Sequence, residues 1–403
     1  MKRFSLRLIV CGTILILMSA ACTSPSAESL PPATTLVPSA AAIDPEAIAR
    51  VDAMLAQMAQ DGTFTGSVLI AQAGDVLLSR GYGLADRVQG TPNTPQTRFR
   101  LASITKQFTA TAILILQSQG KLSVQDPICV YIPGCYAAWE DITIHHLLAH
   151  TSGLSSRLWP ALVRADRIAA TSSRPVQTLA LFEDLPLDSR PGEQFAYSNA
   201  GYVLLAYIIE QVSGQSYEAF LQQAIFTPLG MHNTGYEHRS SGLAVGYANA
   251  QATAPQLPFA SMSISDGSGL LYSAVEDLFL WDQALYTERL LPRAELDRMF
   301  APLIEETDVT GFAYGYGWYV GEEQGRAMVG HGGNIEGFAA LIIRYPEDQI
   351  SLIVLMNQAD LNQLSVWAAI SNEVFGEAHA GGGSSDQSRR LVGAAELRVG
   401  GDQ

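Results

Sequence analysis

Leu101-Ala102-Ser103-Ile104-Thr105-Lys106 places a serine three residues ahead of a lysine at the start of a strongly apolar stretch. In a helix, positions three apart share a face, so the Lys106 amine can reach the Ser103 hydroxyl and draw off its proton. Ser103 is thereby a candidate nucleophile. The chain supplies its own control, because its lysines are Lys2, Lys106 and Lys121, and Ser118 stands three before Lys121. Gly120 intervenes there as a helix stop, so Ser118 and Lys121 straddle a break rather than share a face. The Ser103 pair instead opens its helix, where unsatisfied N–H groups and the positive dipole end favour a developing oxyanion.

Working outward, Phe108 and Ile113 to Leu116 leave that helix apolar nearly all round, which predicts a course through the middle of the molecule. Burial is also what Lys106 needs as a base, since a free amine near pKa ~10.4 holds its proton at neutral pH. Tyr197-Ser198-Asn199 follows Pro191-Gly192, and on an extended loop Tyr197 and Asn199 point the same way. Read alone, it is more often a surface turn than a site. His331 ends a predicted strand, and Gly332-Gly333 leaves the backbone bare, as a strand edge that receives a substrate requires. His145, His146 and His150 include a pair at i, i+4, but Leu147 stands where a helical zinc protease carries its Glu, so no metal is expected. His150-Thr151-Ser152-Gly153 reads instead as a buried hydrogen-bonded turn. No Gly-x-Ser-x-Gly elbow occurs.

The 403 residues, 48% hydrophobic, suffice for a large core. Lys2, Arg3 and Arg7 precede an apolar run from Leu8 to Met18 and the small residues Ser19-Ala20-Ala21, so residues 1–22 read as an export signal. Cys22 then offers two outcomes, lipidation as in a bacterial lipoprotein or ordinary cleavage after Ala21. A lipid at Cys22 would be the chain's one membrane contact. Without residues 1–22 the chain carries 21 Lys+Arg against 39 Asp+Glu, a net of −18. That acidity argues against nucleic acid as a partner, whose phosphates demand a basic surface. Cys129 and Cys135, separated by Val-Tyr-Ile-Pro-Gly, form a plausible disulfide in an oxidising compartment, adding roughly 2 kcal/mol on the chain-entropy account.

Thr23 to Ile43 is rich in Ser, Thr, Pro and Ala and reads as a disordered spacer, and residues 378–403 as a disordered tail. Between them, residues 44–377 form the folded domain. Asp44-Pro45-Glu46 caps a helix to about Gln60, and 66–73 with 76–82 form a hairpin around Gly74-Asp75. Residues 103 to about 260 are mostly helical, with a helix over 202–212 stopped by Gly214. Ser273-Ala274-Val275-Glu276 is a capping box opening another helix through Leu278 and Trp281. Strands return at about 314–321, 326–330, 338–344 and 350–356, before a last helix over 363–375. Strand-rich ends around a helical middle predict a mixed α/β protein of α+β type, with one sheet built from both termini.

Ser103-x-x-Lys106, Tyr197-Ser198-Asn199 and His331-Gly332-Gly333 together resemble, in order and rough spacing, the serine β-lactamase and penicillin-binding-protein superfamily. The branch is similar to the class C β-lactamase-related serine hydrolases and D-alanyl-D-alanine carboxypeptidases. Leu147 to Leu154, Pro228-Leu229-Gly230-Met231 and Asp277-Leu278 support it, and the likeness covers about residues 44–376. The resemblance implies a β-lactamase/transpeptidase-like fold, an antiparallel sheet flanked by helices with an inserted helical subdomain. It further implies attack by Ser103, proton handling by Lys106 with Tyr197, a substrate amide held by Asn199, and an oxyanion hole from the backbone N–H groups of Ser103 and Asn334. No cofactor is implied, the partner is a small-molecule or peptide substrate, and the oligomeric state is left open.

Two departures bear on the substrate. Class C β-lactamases carry Lys where His331 stands and a Thr hydroxyl where Gly332 stands, and that pair helps to bind a substrate carboxylate. An imidazole at 331 would lose positive charge over about pH 6 to 7 unless its site shifts it, and the missing hydroxyl favours esters and uncharged amides. The expected activity is therefore an exported serine hydrolase acting on amides or esters, D-Ala-D-Ala carboxypeptidase- or peptidase-like or esterase-like, with β-lactamase action ranked below. The competing reading from another class is a catalytically silent binding protein on the same scaffold.

Overall fold

A computed structural model describes residues 41–160, 186–236, 242–249, 252–255, 266–305, 307–360 and 362–376. The expected signal over 1–22 with Cys22, the spacer as far as residue 40 and the tail over 378–403 lie outside the described residues. At the spacer's end, Gln72 donates from Nε2 to Ala41 O and accepts from Ile43 N. Ile43 is buried there, so the ordered chain begins before Asp44.

Helix α1 (Pro45–Gln60) is started by the Asp44 side chain, which accepts from Glu46 N, and by Pro45 at the first position. Strands β1 (Gly66–Gln72) and β2 (Asp75–Tyr82) follow, joined through Ala73 and Gly74, both at positive φ. After the helical middle come β3 (Phe312–Tyr314), β4 (Tyr319–Glu323), β5 (Arg326–Ile335), β6 (Phe338–Tyr345) and β7 (Ile350–Met356). These seven form one antiparallel sheet in the order β2-β1-β7-β6-β5-β4-β3. β1 pairs with β7 from Gly66↔Met356 to Gln72↔Ile350, so a strand from near the start of the described chain and one from near its end lie side by side inside the sheet.

Helices cover both faces, which is why β6 and β7 are buried at every position and read as continuous apolar runs. Alternate residues serve alternate faces. Val68, Ile70, Leu341, Ile343 and Val354 pack with α1 and with α6 (Gln363–Phe375). Leu69, Ala340, Ile342 and Leu355 pack on the other side with α2 (Thr105–Ser118) and α5 (Val275–Ala284). Between those two helices the chain forms α3 (Ile144–Leu148) and α4 (Asn199–Ser213), the latter closed by Gly214 at φ 70°.

Three local expectations are corrected. The single strand over 314–321 is two, β3 and β4, because the chain reverses through Gly315 and Gly317, and a Cβ at Gly315 would collide with Met299 O. The strand expected to end at residue 330 continues as β5 through His331 to Ile335, since β6 supplies partners all the way. β4 pairs only as far as Gly330, which leaves β5 from His331 onward paired on one side. The capping box at 273–276 does not form. Ser273 ends a short strand, Leu271–Ser273, and its buried hydroxyl bonds Thr234 Oγ1, while Glu276 accepts from Gln96. Cys129 and Cys135 are disulfide-bonded with Cα atoms 5.2 Å apart.

Candidate active site

Ser103 sits in a single 3-10 turn, Ala102–Ile104, that leads into α2. Ala102 just before it has φ 45°, a left-handed conformation that costs roughly 1–2 kcal/mol outside glycine. The turn is held against β5. A Cβ on Gly333 would collide with Leu101 O and stand 2.9 Å from Ser103 N, so only glycine allows the strand this close to the serine. Ser118, the control, donates its hydroxyl to Ile115 O on its own helix, and Gly120 adopts φ 68° before Lys121.

Lys106 is completely buried one turn into the site. Its Nζ lies 2.7 Å from Asn199 Oδ1, 3.0 Å from Ser268 O and 3.1 Å from Ser103 Oγ. No carboxylate lies among these partners, and desolvation holds the amine well below its ordinary pKa. A neutral amine has two N–H bonds and one lone pair. Asn199 Oδ1 and Ser268 O can only accept, so they take both hydrogens and leave the lone pair for the Ser103 hydroxyl to donate into. The lone pair is thus left beside the Ser103 hydroxyl with no charged group among its partners.

Asn199 is not on an extended loop as expected. It is the first residue of α4, and Ser198 is the cap, its hydroxyl accepting from Gly201 N at 3.1 Å. The helix start therefore aims the amide at Lys106. Tyr197 lies just outside the helix, with its ring centroid 4.8 Å from Lys106 Nζ. The ring is backed by His150, centroids 4.3 Å apart and planes tilted 34°. Fully buried His150 accepts from Ser198 N at Nδ1 (3.1 Å), and its carbonyl accepts from Ala196 N. It thus braces the segment on both sides of Tyr197. Because Nδ1 accepts, the proton sits on Nε2, and burial first of all holds the imidazole well below its ordinary pKa, with Lys106 and His331 pushing the same way when they are charged.

His331 corrects an expectation. It is buried, with Nδ1 2.6 Å from Gly332 O and Nε2 3.1 Å from Tyr314 Oη. A carbonyl only accepts, so Nδ1 carries the proton and Nε2 accepts from the Tyr314 hydroxyl. Desolvation, with Lys106 nearby, moves its pKa down to about 3. His331 is neutral above that range, and no charge is lost between pH 6 and 7.

Ser103, Tyr197, Asn199, His331, Gly332 and Asn334 line one cleft of about 480 Å³. Gly333 lies behind it against the serine turn, and Cys129 and Cys135 are elsewhere. His145 and His146 also find structural roles: His145 Nδ1 meets Tyr316 Oη at 2.7 Å, and His146 completes a capping box with Thr143. Among the described residues no cluster of His, Cys, Asp or Glu could hold a metal ion, and no helix is long and apolar enough to cross a membrane. Ser268, His150 and Tyr314 are site residues that sequence reading missed as such. His150 was legible as a buried turn, but nothing local marks Ser268 or Tyr314.

A family profile described as Beta-lactamase matches residues 51–370. The chain is 32% identical to penicillin-binding protein 4* of Bacillus subtilis (strain 168) over 333 residues, covering 78% of this chain and 73% of that one. Among solved structures, EstCE1, a hydrolase with promiscuous acyltransferase activity, superposes with a TM-score of 0.69 at 25% identity over 82% of this chain and 99% of its own. A D-stereospecific amidohydrolase from Streptomyces sp. gives 0.66 at 26% identity, covering 82% and 98%.

Proposed function

Because this chain belongs to the β-lactamase family of serine hydrolases, we propose that it is an exported enzyme that cleaves amides or esters through an acyl-enzyme on Ser103. The observation that carries this reading is the buried Lys106, whose two acceptor-only partners leave its lone pair facing Ser103 Oγ at 3.1 Å. Ser103 Oγ bonds to the substrate carbonyl carbon while its proton passes to Lys106 Nζ. The tetrahedral oxyanion takes hydrogen bonds from the backbone N–H groups of Ser103 and Asn334. On collapse, the carbon–oxygen or carbon–nitrogen bond breaks and Tyr197, exchanging protons with Lys106, protonates the leaving group. Water then adds to the ester carbonyl as the same base takes its proton, and the base returns that proton to Ser103 Oγ as the carbon–Oγ bond breaks and the acid departs.

Similarity to a D-stereospecific amidohydrolase supports amide cleavage, and similarity to a hydrolase with promiscuous acyltransferase activity supports an acyl-enzyme, which an ester forms by the same attack. Peptidase-type and esterase-type action stand level on these grounds. β-Lactam hydrolysis ranks lower, because no lysine or arginine lines the described cleft to meet the carboxylate. Export rests on the basic and apolar stretches of residues 1–22, with Cys22 as the acyl acceptor if the chain is lipidated. Treatment with a fluorophosphonate followed by peptide mapping tests the assignment. The label is expected on Ser103 and absent from Ser103→Ala; an adduct on another serine would overturn it.

A further inference from the structure

Beyond Ser103 and His331 the cleft turns apolar and runs between the sheet and α6. Phe312, Met328, Leu341, Ile343, Leu364 and Trp367 line it. Five of these belong to the core on that face of the sheet and Leu364 packs against it, so the wall is rigid rather than a loop surface. Two glycines keep it open. A Cβ at Gly330 would stand 2.5 Å from Ile343 Cδ1, and one at Gly332 would stand 3.2 Å from Gln363 Nε2. Among the described lining residues Asp308 is the one acidic side chain, accepting from Tyr319 Oη at 2.8 Å, and no lysine or arginine is present. His331, the remaining titratable candidate for a cation, donates to a backbone carbonyl and accepts from Tyr314.

We propose that this cleft seats an uncharged apolar acyl chain, so that the substrates are esters or amides of aliphatic or aryl-aliphatic acids rather than substrates ending in a carboxylate. The proposal rests on the serine hydrolase reading and specifies its substrate. An anionic chain end would lose its water without gaining a cation, beside an aspartate. An apolar end gains burial against six apolar side chains. The cleft is assigned to the acyl side because Ser103 forms part of its wall: a chain lodged there remains in place while tethered to Oγ, after the leaving group has gone.

The test uses the full chain and p-nitrophenyl esters that share one leaving group: acetate, butyrate, hexanoate, octanoate, and the adipate monoester as an anionic match for hexanoate. kcat/KM is expected to rise by at least about tenfold from acetate to hexanoate, and by about 10²-fold if all four added methylenes are fully buried at about three- to fourfold each. Adipate should fall at least tenfold below hexanoate. Leu364→Arg, at a half-buried position in the first turn of α6, should cut the hexanoate-to-adipate ratio at least tenfold, and Leu364→Gln should lower the chain-length gain without favouring the anion. A flat acyl series overturns the proposal, as does adipate equal to hexanoate, or a gain that appears only when the alcohol side is lengthened with acetyl held constant. Acetate turnover that disappears in Ser103→Ala would leave the hydrolase reading standing in each of those cases. No turnover of any ester together with no fluorophosphonate label would overturn that reading and this proposal with it.

Discussion

At the scale of single residues, the proposed chemistry requires one amine to be neutral. Lys106 lies in apolar surroundings next to the Tyr197 and Tyr202 rings, and both its hydrogens are committed to oxygen acceptors. Desolvation disfavours the protonated form, so the folded pKa lies well below the ordinary lysine value. The acid limb of the kcat/KM profile is therefore expected far below pH 10. Lys106→Ala should lower kcat by about 10²–10⁴-fold, the range for a lost general base. Lys106→Arg should fare no better at any pH, since a guanidinium keeps its proton. Parallel pH–rate profiles of wild type and both variants check this, and an Arg variant with near-normal turnover would remove the base from Lys106.

At the scale of elements, the decisive contact is between β5 and the turn that carries Ser103. Gly333 and Gly332 are neighbours in sequence and differ sharply in surroundings. Gly333 faces the turn, where a Cβ would collide with Leu101 O and crowd Ser103 N, both backbone atoms that move only with the whole turn. Gly332 faces the cleft, where the nearest obstacle is the Gln363 side-chain amide at 3.2 Å, which can swing aside. Gly333→Ala is expected to reduce kcat/KM by at least 10²-fold, because misplacing a nucleophile by a fraction of an ångström removes its alignment. Gly332→Ala should stay within about tenfold of wild type. Steady-state kinetics with circular dichroism to confirm folding decides it; equal loss in both variants would mean that the close approach is not the cause.

At the scale of the whole molecule, the histidines the core encloses make stability depend on acidity. His331 has a folded pKa of about 3 and His150 is lowered in the same direction, each by desolvation first. In the unfolded chain both titrate near 6.5. Between those values the unfolded state binds protons that the native state does not, so their contribution is fully present above about pH 6.5 and is lost as pH falls. Each group contributes up to about 1.4 kcal/mol per pH unit in that window. Thermal unfolding followed from pH 7.5 to 5.5 is expected to show a falling Tm, and His331→Gln should flatten the slope. Asp277 and Glu323, raised by burial, act with the opposite sign, so the comparison is between variant and wild type. An unchanged slope would mean that His331 accepts a proton in the native state.

What the sequence determined by itself is whatever depends on neighbours a few residues away. The three-residue spacing of Ser103 and Lys106, the apolar circumference of α2, the β1–β2 hairpin, the Gly214 stop and the return of strands after residue 312 all follow from local periodicity and turn chemistry. The approach of Cys129 to Cys135 is local in the same way. The tertiary structure alone decided the rest. Asn199 reaches Lys106 across 93 positions and Ser268 across 162, and no local pattern encodes either meeting. The break between β3 and β4 depends on Met299, and the continuation of β5 depends on β6. The charge of His331 was misjudged from sequence for the same reason: an imidazole's pKa is set by the water it loses and the groups packed round it, and both are properties of the assembled core.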